Sequence, residues 1–293
     1  MFQGSMVAII TPFQEDGRWD EDAFRQLVEF QIANGTDVIV PVGTTGESAT
    51  LDHGEHSQVI RACVEQVNKR VPVLAGTGSN STTEAIELTR QAKQIGADGV
   101  LLISPYYNKP TQEGLYQHFK AIAEQVSIPQ VLYNVPGRTG MNMTAATTVR
   151  LAEIPHIIGI KEASGDLTQA SEIIAKAGDK IDVFSGDDFL TLPLMACGGK
   201  GVISVTANIM PAQVKAMVVA IRESRWEDAR RIHLQLLEVH QTMFIESNPA
   251  PVKTAAALMG KCGPHLRLPL VPLQPENLAK LTEVLQRHGL LDS

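Results

Sequence analysis

The stretch Ile157-Ile158-Gly159-Ile160-Lys161-Glu162 is a short, mostly β-branched apolar run that breaks off at a lysine. A run of this length, apolar at every position, is what a strand buried on both faces of a parallel sheet looks like. Working outward from it, the same kind of run recurs upstream at 130–134, 99–103, 71–75, 37–42 and 6–10. Downstream it recurs at 181–185 and 201–205, which with 157–161 makes eight strand candidates.

The segments between these runs have helical period. Over 20–33, Phe24, Leu27, Val28 and Ile32 share a face, and Asn34-Gly35 supplies a stop. Ser81 with Glu84 reads as a capping box for a helix ending at Gly96. Over 111–126, Leu115, Phe119, Ile122 and Val126 form one stripe, and Asp166 suits the N-cap of a helix over 167–177. Pro193 sits awkwardly in the seventh helix. Strand–helix alternation repeated eight times predicts an α/β fold, a (β/α)8 TIM barrel spanning 1–210. An open doubly wound sheet is the alternative, but no GxGxxG opens the first helix. Past Asn208 the strand pattern stops. Pro211 suits a first helical turn, and 214–222, 226–244, 251–259 and 275–288 read as helices, so 211–293 is a C-terminal helical extension.

A chain of 293 residues, 44% hydrophobic and 19% charged, has the composition of a globular protein with a large core. The net charge of −7 and the lack of basic runs argue against nucleic acid or an anionic membrane as partner. Cys63, Cys197 and Cys262 are odd in number and form no CxxC, which points to a reducing, cytoplasmic setting and no zinc site. The N-terminus lacks a basic segment, and its apolar run is too short for a signal peptide. No stretch is long enough for a membrane span.

Chemistry in such a barrel sits at the C-terminal ends of the strands. Strand two runs into Gly43-Thr44-Thr45-Gly46-Glu47, where glycines flank two hydroxyls; this reads either as a carboxylate-binding turn or as a tight turn with a helix cap. Strand four runs into Ser104-Pro105-Tyr106-Tyr107 and strand five into Tyr133-Asn134-Val135-Pro136-Gly137-Arg138. A tyrosine there either relays protons or fills core. Lys161 ends strand six. In an enclosed mouth it would be desolvated, which favours the neutral amine that Schiff-base chemistry requires; otherwise it is a solvated strand-end lysine, or one paired with Glu47 or Glu162. Strand seven ends in Ser185-Gly186-Asp187-Asp188; the acid pair resembles a metal site, but helix capping is the reading preferred. Gly76-Thr77-Gly78 is a weak phosphate-nest signal that reads more readily as a turn, and no HExxH places His53 or His56 as metal ligands.

Taken together, these blocks resemble the dihydrodipicolinate synthase/N-acetylneuraminate lyase family of Schiff-base aldolases. The blocks are Gly4-Ser5 with Thr11-Pro12, GTTGESATL at 43–51, SPYYNKPTQEGLYQHF at 104–119 and YNVPGRTG at 133–140. They continue with IGIKEASGD at 158–166, FSGDD at 184–188, GVISV at 201–205 and NPAPVK at 248–253, covering essentially the whole chain in order.

The resemblance implies a barrel with a C-terminal helical domain and no metal or organic cofactor. It implies that Lys161 condenses with pyruvate, that Tyr133 shuttles protons, and that Thr44 links Tyr133 to Tyr107. In the family that last tyrosine reaches in from a neighbouring subunit, so the resemblance implies a homo-oligomer, a tetramer built as a dimer of dimers being common. Thr45 would hold the pyruvate carboxylate, Gly186 and Ile203 would line the pocket, and Arg138 would bind the carboxylate of aspartate semialdehyde with its guanidinium fork. Ser48, Ala49, His53, His56, Asn80, Glu84 and Tyr106 match the site at which lysine inhibits some members; alternatively Glu84 only completes the capping box. Two other readings stand beside this one: a sugar-acid lyase on the same scaffold, against which Arg138 and Tyr107 speak, and a non-catalytic barrel that binds pyruvate or lysine, which should have lost part of the lysine–tyrosine–threonine set.

Overall fold

The computed structural model describes residues 2–178 and 180–291. Eight parallel strands run in chain order: β1 Gly4–Ala8, β2 Val38–Val40, β3 Leu74–Gly76, β4 Gly99–Ile103, β5 Gln130–Asn134, β6 Ile157–Glu162, β7 Asp182–Ser185 and β8 Gly201–Ser204. Each pairs with its sequence neighbour from β3 to β8, β8 pairs with β1, and β1 with β2. The ring closes through a parallel bridge between Ile39 and Val73, with the Ile39 amide donating to the Pro72 carbonyl at 3.1 Å. The barrel reading therefore holds and the open sheet does not. Strand bounds differ by up to three residues at β1 and β3, where apolar residues flank the strand and periodicity alone does not mark its ends.

Side chains alternate across the barrel wall. Met6, Val38, Leu74, Leu101, Val131, Tyr133, Phe184 and Ile203 fill the interior as one cluster. Their neighbours Val7, Ile39, Val100, Leu132 and Ile160 belong to the larger core between wall and helices. Burying each of these outward chains contributes about 1.5–3 kcal/mol, which holds the register and hence the identity of the inward residues.

The helices of the ring are α1 Glu21–Ala33, α2 His53–Val67, α3 Thr82–Ile95, α4 Gln112–Gln125, the short α5 Pro136–Thr139, α6 Ala145–Leu151, α7 Leu167–Ala177 and α8 Thr191–Ala196. Asp20 caps α1 through the Ala23 amide at 3.0 Å, and Asp166 caps α7 through the Thr168 and Gln169 amides. Pro193 is accommodated in the first turn of α8, where its missing N–H has no helical partner to lose. The capping box expected at Ser81 is only half built. Ser81 Oγ accepts from the Glu84 amide, but the Glu84 carboxylate turns away to Ser79 and His53. The complete box is Asp52 with Glu55, at the start of α2.

Four helices follow β8: α9 Pro211–Arg222, α10 Trp226–Thr242, α11 Ala250–Leu258 and α12 Pro275–Arg287. α9 packs against β1 and takes the place of an eighth barrel helix, although it lies past the strand pattern in sequence. α10 packs on α9, and α12 on α10 and α11. Among the described residues no helix is long and apolar enough to cross a membrane.

Candidate active site

The C-terminal ends of β5 and β6 place Tyr133 opposite Lys161 in register. Both point inward. Lys161 Nζ lies 4.3 Å from the centroid of the Tyr133 ring, and the lysine is 5% exposed. Gly186, just past β7, makes room for it: a Cβ there would come within 2.5 Å of Ala163 Cβ and 3.0 Å of Lys161 Cε. Ile203 is fully buried in the barrel interior.

Neither carboxylate considered as a partner for Lys161 takes that role. Glu162 follows it in the strand and so faces the other side of the wall, where it accepts from Asn134 Nδ2, the Ser164 amide and Gln169 Nε2. Burial pushes Glu162 above the usual carboxylate range against those hydrogen bonds. Asp187 is the acid whose field reaches the lysine. Burial raises it to about 6, Lys161 pulls it down, and Asp188 and Glu162 push it up again. Asp187 caps no helix through its side chain. Asp188 does cap, but at a distance, accepting from the Val205 and Thr206 amides past β8.

The opposite rim is a loop, not a strand end. Past β2, Val42 and Glu47 both adopt left-handed backbone (φ 50° and 53°), a conformation that costs energy for a β-branched residue and must be held by its surroundings. The Val42 carbonyl presses on Gly76, where an added Cβ would lie 2.4 Å from it; this close approach, not anion binding, accounts for the glycine. The rest of the hold comes from the C-terminal extension. Asn248 Nδ2 donates to Thr45 Oγ1 at 3.0 Å. Lys253 is ion-paired with Glu47, their side chains 0% and 1% exposed. Burial pushes the Lys253 ammonium down and the Glu47 carboxylate beside it pulls it back up. The Arg267 amide donates to Glu47 Oε2 at 3.3 Å. The Phe13 ring carries Lys253 Nζ at 4.0 Å and the Arg267 guanidinium at 4.3 Å.

These ties define chemistry. Because the Thr45 oxygen accepts from Asn248, its hydrogen is left to donate elsewhere, as a carboxylate would require. Arg138, exposed in α5, donates to the Asn248 carbonyl at 3.0 Å. Thr44, Tyr133, Arg138 and Asn248 line one cavity of about 440 Å³, a size that suits a small metabolite.

The far end of that cavity is lined by Ser48, Ala49, His53, His56, Glu84 and Tyr106. His53 Nε2 meets Glu84 Oε1 at 2.9 Å, Ser79 Oγ donates to the other Glu84 oxygen, and Asn80 Nδ2 donates to the Tyr106 carbonyl at 3.2 Å. Hydrogen bonds from Ser79, then from His53, hold Glu84 below the usual carboxylate range. Burial drives His56 down to about 4, so the neutral ring donates Nε2–H to the Gly76 carbonyl at 2.9 Å.

Tyr107 is the one predicted catalytic residue that this chain does not bring to its own site. It is 90% exposed, with a left-handed φ of 69°. In the other direction, Asn248, Lys253 and Arg267 have no role in the sequence reading. The first two lie in the NPAPVK block, and that block was the only available signal.

The closed barrel thus carries an enclosed lysine beside a strand-end tyrosine at its C-terminal mouth, with the Thr45 hydrogen left free to donate. A family model described as the Dihydrodipicolinate synthetase family matches residues 1–288. The 4-hydroxy-tetrahydrodipicolinate synthase of Syntrophotalea carbinolica is 75% identical over 293 residues, all of both chains. Among solved structures, the chloride-inhibited dihydrodipicolinate synthase from Acinetobacter baumannii complexed with pyruvate is 49% identical, with a TM-score of 0.98, over 99% of this chain and 100% of that one. The synthase from Cyanidioschyzon merolae with lysine bound is 40% identical, with a TM-score of 0.96, over 99% of both. The chain belongs to the dihydrodipicolinate synthetase family.

Proposed function

We propose that this chain condenses pyruvate with L-aspartate 4-semialdehyde to give 4-hydroxy-tetrahydrodipicolinate, on the route to diaminopimelate and lysine. The Lys161 amine attacks the pyruvate ketone and water leaves, forming an iminium. The iminium accepts the electrons of a methyl C–H bond as its proton departs, which leaves an enamine. The enamine carbon attacks the aldehyde, the substrate's amine then attacks the imine carbon, and the ring closes as Lys161 is expelled. Tyr133 carries the protons, with Thr44 linking it to Tyr107. Thr45 holds the pyruvate carboxylate and Arg138 that of the semialdehyde, while Gly186 and Ile203 shape the pocket.

The observation that carries this reading is the pairing of Lys161 with Tyr133 across β6 and β5, with the lysine almost fully enclosed. Turnover of the purified protein with both substrates tests it. Product should require pyruvate and the semialdehyde together; consumption of a sugar acid in place of the semialdehyde would overturn it.

The active unit is an oligomer of at least two copies, a dimer of dimers in the family's common form, with Tyr107 completing the relay of a neighbour. Its extreme exposure on a constrained backbone supports this. Lysine acts as an effector at Ser48, Ala49, His53, His56, Asn80, Glu84 and Tyr106, with Glu84 meeting its amine and Asn80 its carboxylate. We place the reaction in the cytoplasm, in keeping with free cysteines and a biosynthetic role.

A further inference from the structure

We infer that Asn248 reads the amino group of the aldehyde substrate and so sets specificity for an amino aldehyde over its desamino analogue. This rests on the proposed reaction. Asn248 lies between α10 and α11, is 5% exposed, and lines the cavity. Its backbone carbonyl accepts from Arg138 and its Nδ2 donates to Thr45, both at 3.0 Å. Its Oδ1 is buried and has no partner. Buried acceptors are almost always satisfied, and an exception on a residue that lines a ligand cavity points to the ligand.

The polarity of that atom restricts what it takes. A side-chain carbonyl accepts and cannot donate, so it offers nothing to the two carboxylates assigned to Thr45 and Arg138. The complementary group is an N–H or O–H donor, here an amine. The semialdehyde carries one on the carbon that bears its carboxylate. Since Arg138 is hydrogen-bonded to the main chain of Asn248 itself, a carboxylate on that guanidinium brings the adjacent amino group toward the same residue. Asn248 is thus bonded to both residues assigned to carboxylates and supplies an unpaired acceptor of its own. A site built to bond an N–H discriminates strongly against a ligand that lacks it.

The test compares two aldehydes in the full-length protein: kcat/KM for aspartate semialdehyde and the inhibition constant of succinate semialdehyde, which lacks the amine. In Asn248→Ala, kcat/KM for the amino aldehyde should fall about 10–100-fold, while the inhibition constant of the desamino aldehyde moves less than about threefold. Asn248→Asp keeps an acceptor and should keep or raise the preference for the amino aldehyde, because its added charge attracts an ammonium and repels the anionic desamino analogue; it also serves should the alanine variant not fold. Equal losses for both aldehydes would reduce Asn248 to a prop for Thr45 and overturn the inference. So would loss of the preference in Asn248→Asp. If the unaltered protein forms no product from aspartate semialdehyde, the proposed reaction falls first and takes this inference with it; turnover with equal losses sinks the inference alone.

Discussion

The two rims of the barrel mouth are built on different principles. On one, Tyr133, Lys161 and Ile203 sit on strands and are aimed by β-sheet register, with Gly186 just past β7. On the other, Thr44, Thr45 and Glu47 lie on a loop with left-handed turns, held by side chains 203 and 206 residues further along the chain. A strand-borne group inherits its direction from the wall, whereas the loop-borne group depends on a few specific bonds to the extension. The C-terminal helices are thus part of the site's construction.

Cutting the largest tie should show this most strongly. Lys253→Ala leaves the Glu47 carboxylate buried and unpaired, and should cost about 3–5 kcal/mol in urea unfolding. Replacing both partners with Lys253→Met and Glu47→Gln should cost much less, because no bare charge stays behind. Equal losses would mean that packing, not the ion pair, holds the loop.

Arg138→Ala sharpens the contrast from the ligand's side. The exposed guanidinium should be worth less than about 0.5 kcal/mol to folding. Its loss should lower kcat/KM for aspartate semialdehyde about 10–100-fold, with the KM for pyruvate nearly unchanged. An equal rise in both KM values would put Arg138 among the supports of the loop instead.

The strand-borne rim should respond to pH, and more weakly. An unfolded aspartate titrates near 3.8, while burial first, against the pull of Lys161, raises Asp187 to about 6 in the fold. Between those values the folded protein binds the additional proton. The stability from this carboxyl is therefore complete below about pH 4 and is lost as pH rises through about 6. Asp187→Asn should gain on the parent by about a degree or two in Tm between pH 5 and pH 7.5, a small effect because Asp187 is partly exposed. A difference that shrinks as pH rises would reverse the assignment.

The same contrast explains what the sequence disclosed. Eight apolar runs with polar residues at their ends were enough to infer the barrel, and Lys161 stood out because a lysine closed one run. Register then brought Tyr133 beside it with no further information. Asn248 and Lys253 could not be found that way: their partners lie more than 200 residues away, and nothing local in NPAPVK says which way an asparagine amide or a buried ammonium points. The half-built cap at Ser81 has the same cause, since Glu84 obeyed a local pattern until Ser79 and His53 competed for it.

Lys161 as the nucleophile is the centre of the account, and borohydride trapping with pyruvate, followed by peptide mass mapping, tests it most directly. The account predicts a single reduced pyruvate adduct on Lys161, absent without pyruvate and absent in Lys161→Ala, whose turnover should fall on the order of 10³-fold or more. Folded protein that gives no adduct at Lys161, under conditions that trap a known Schiff-base enzyme, would contradict it.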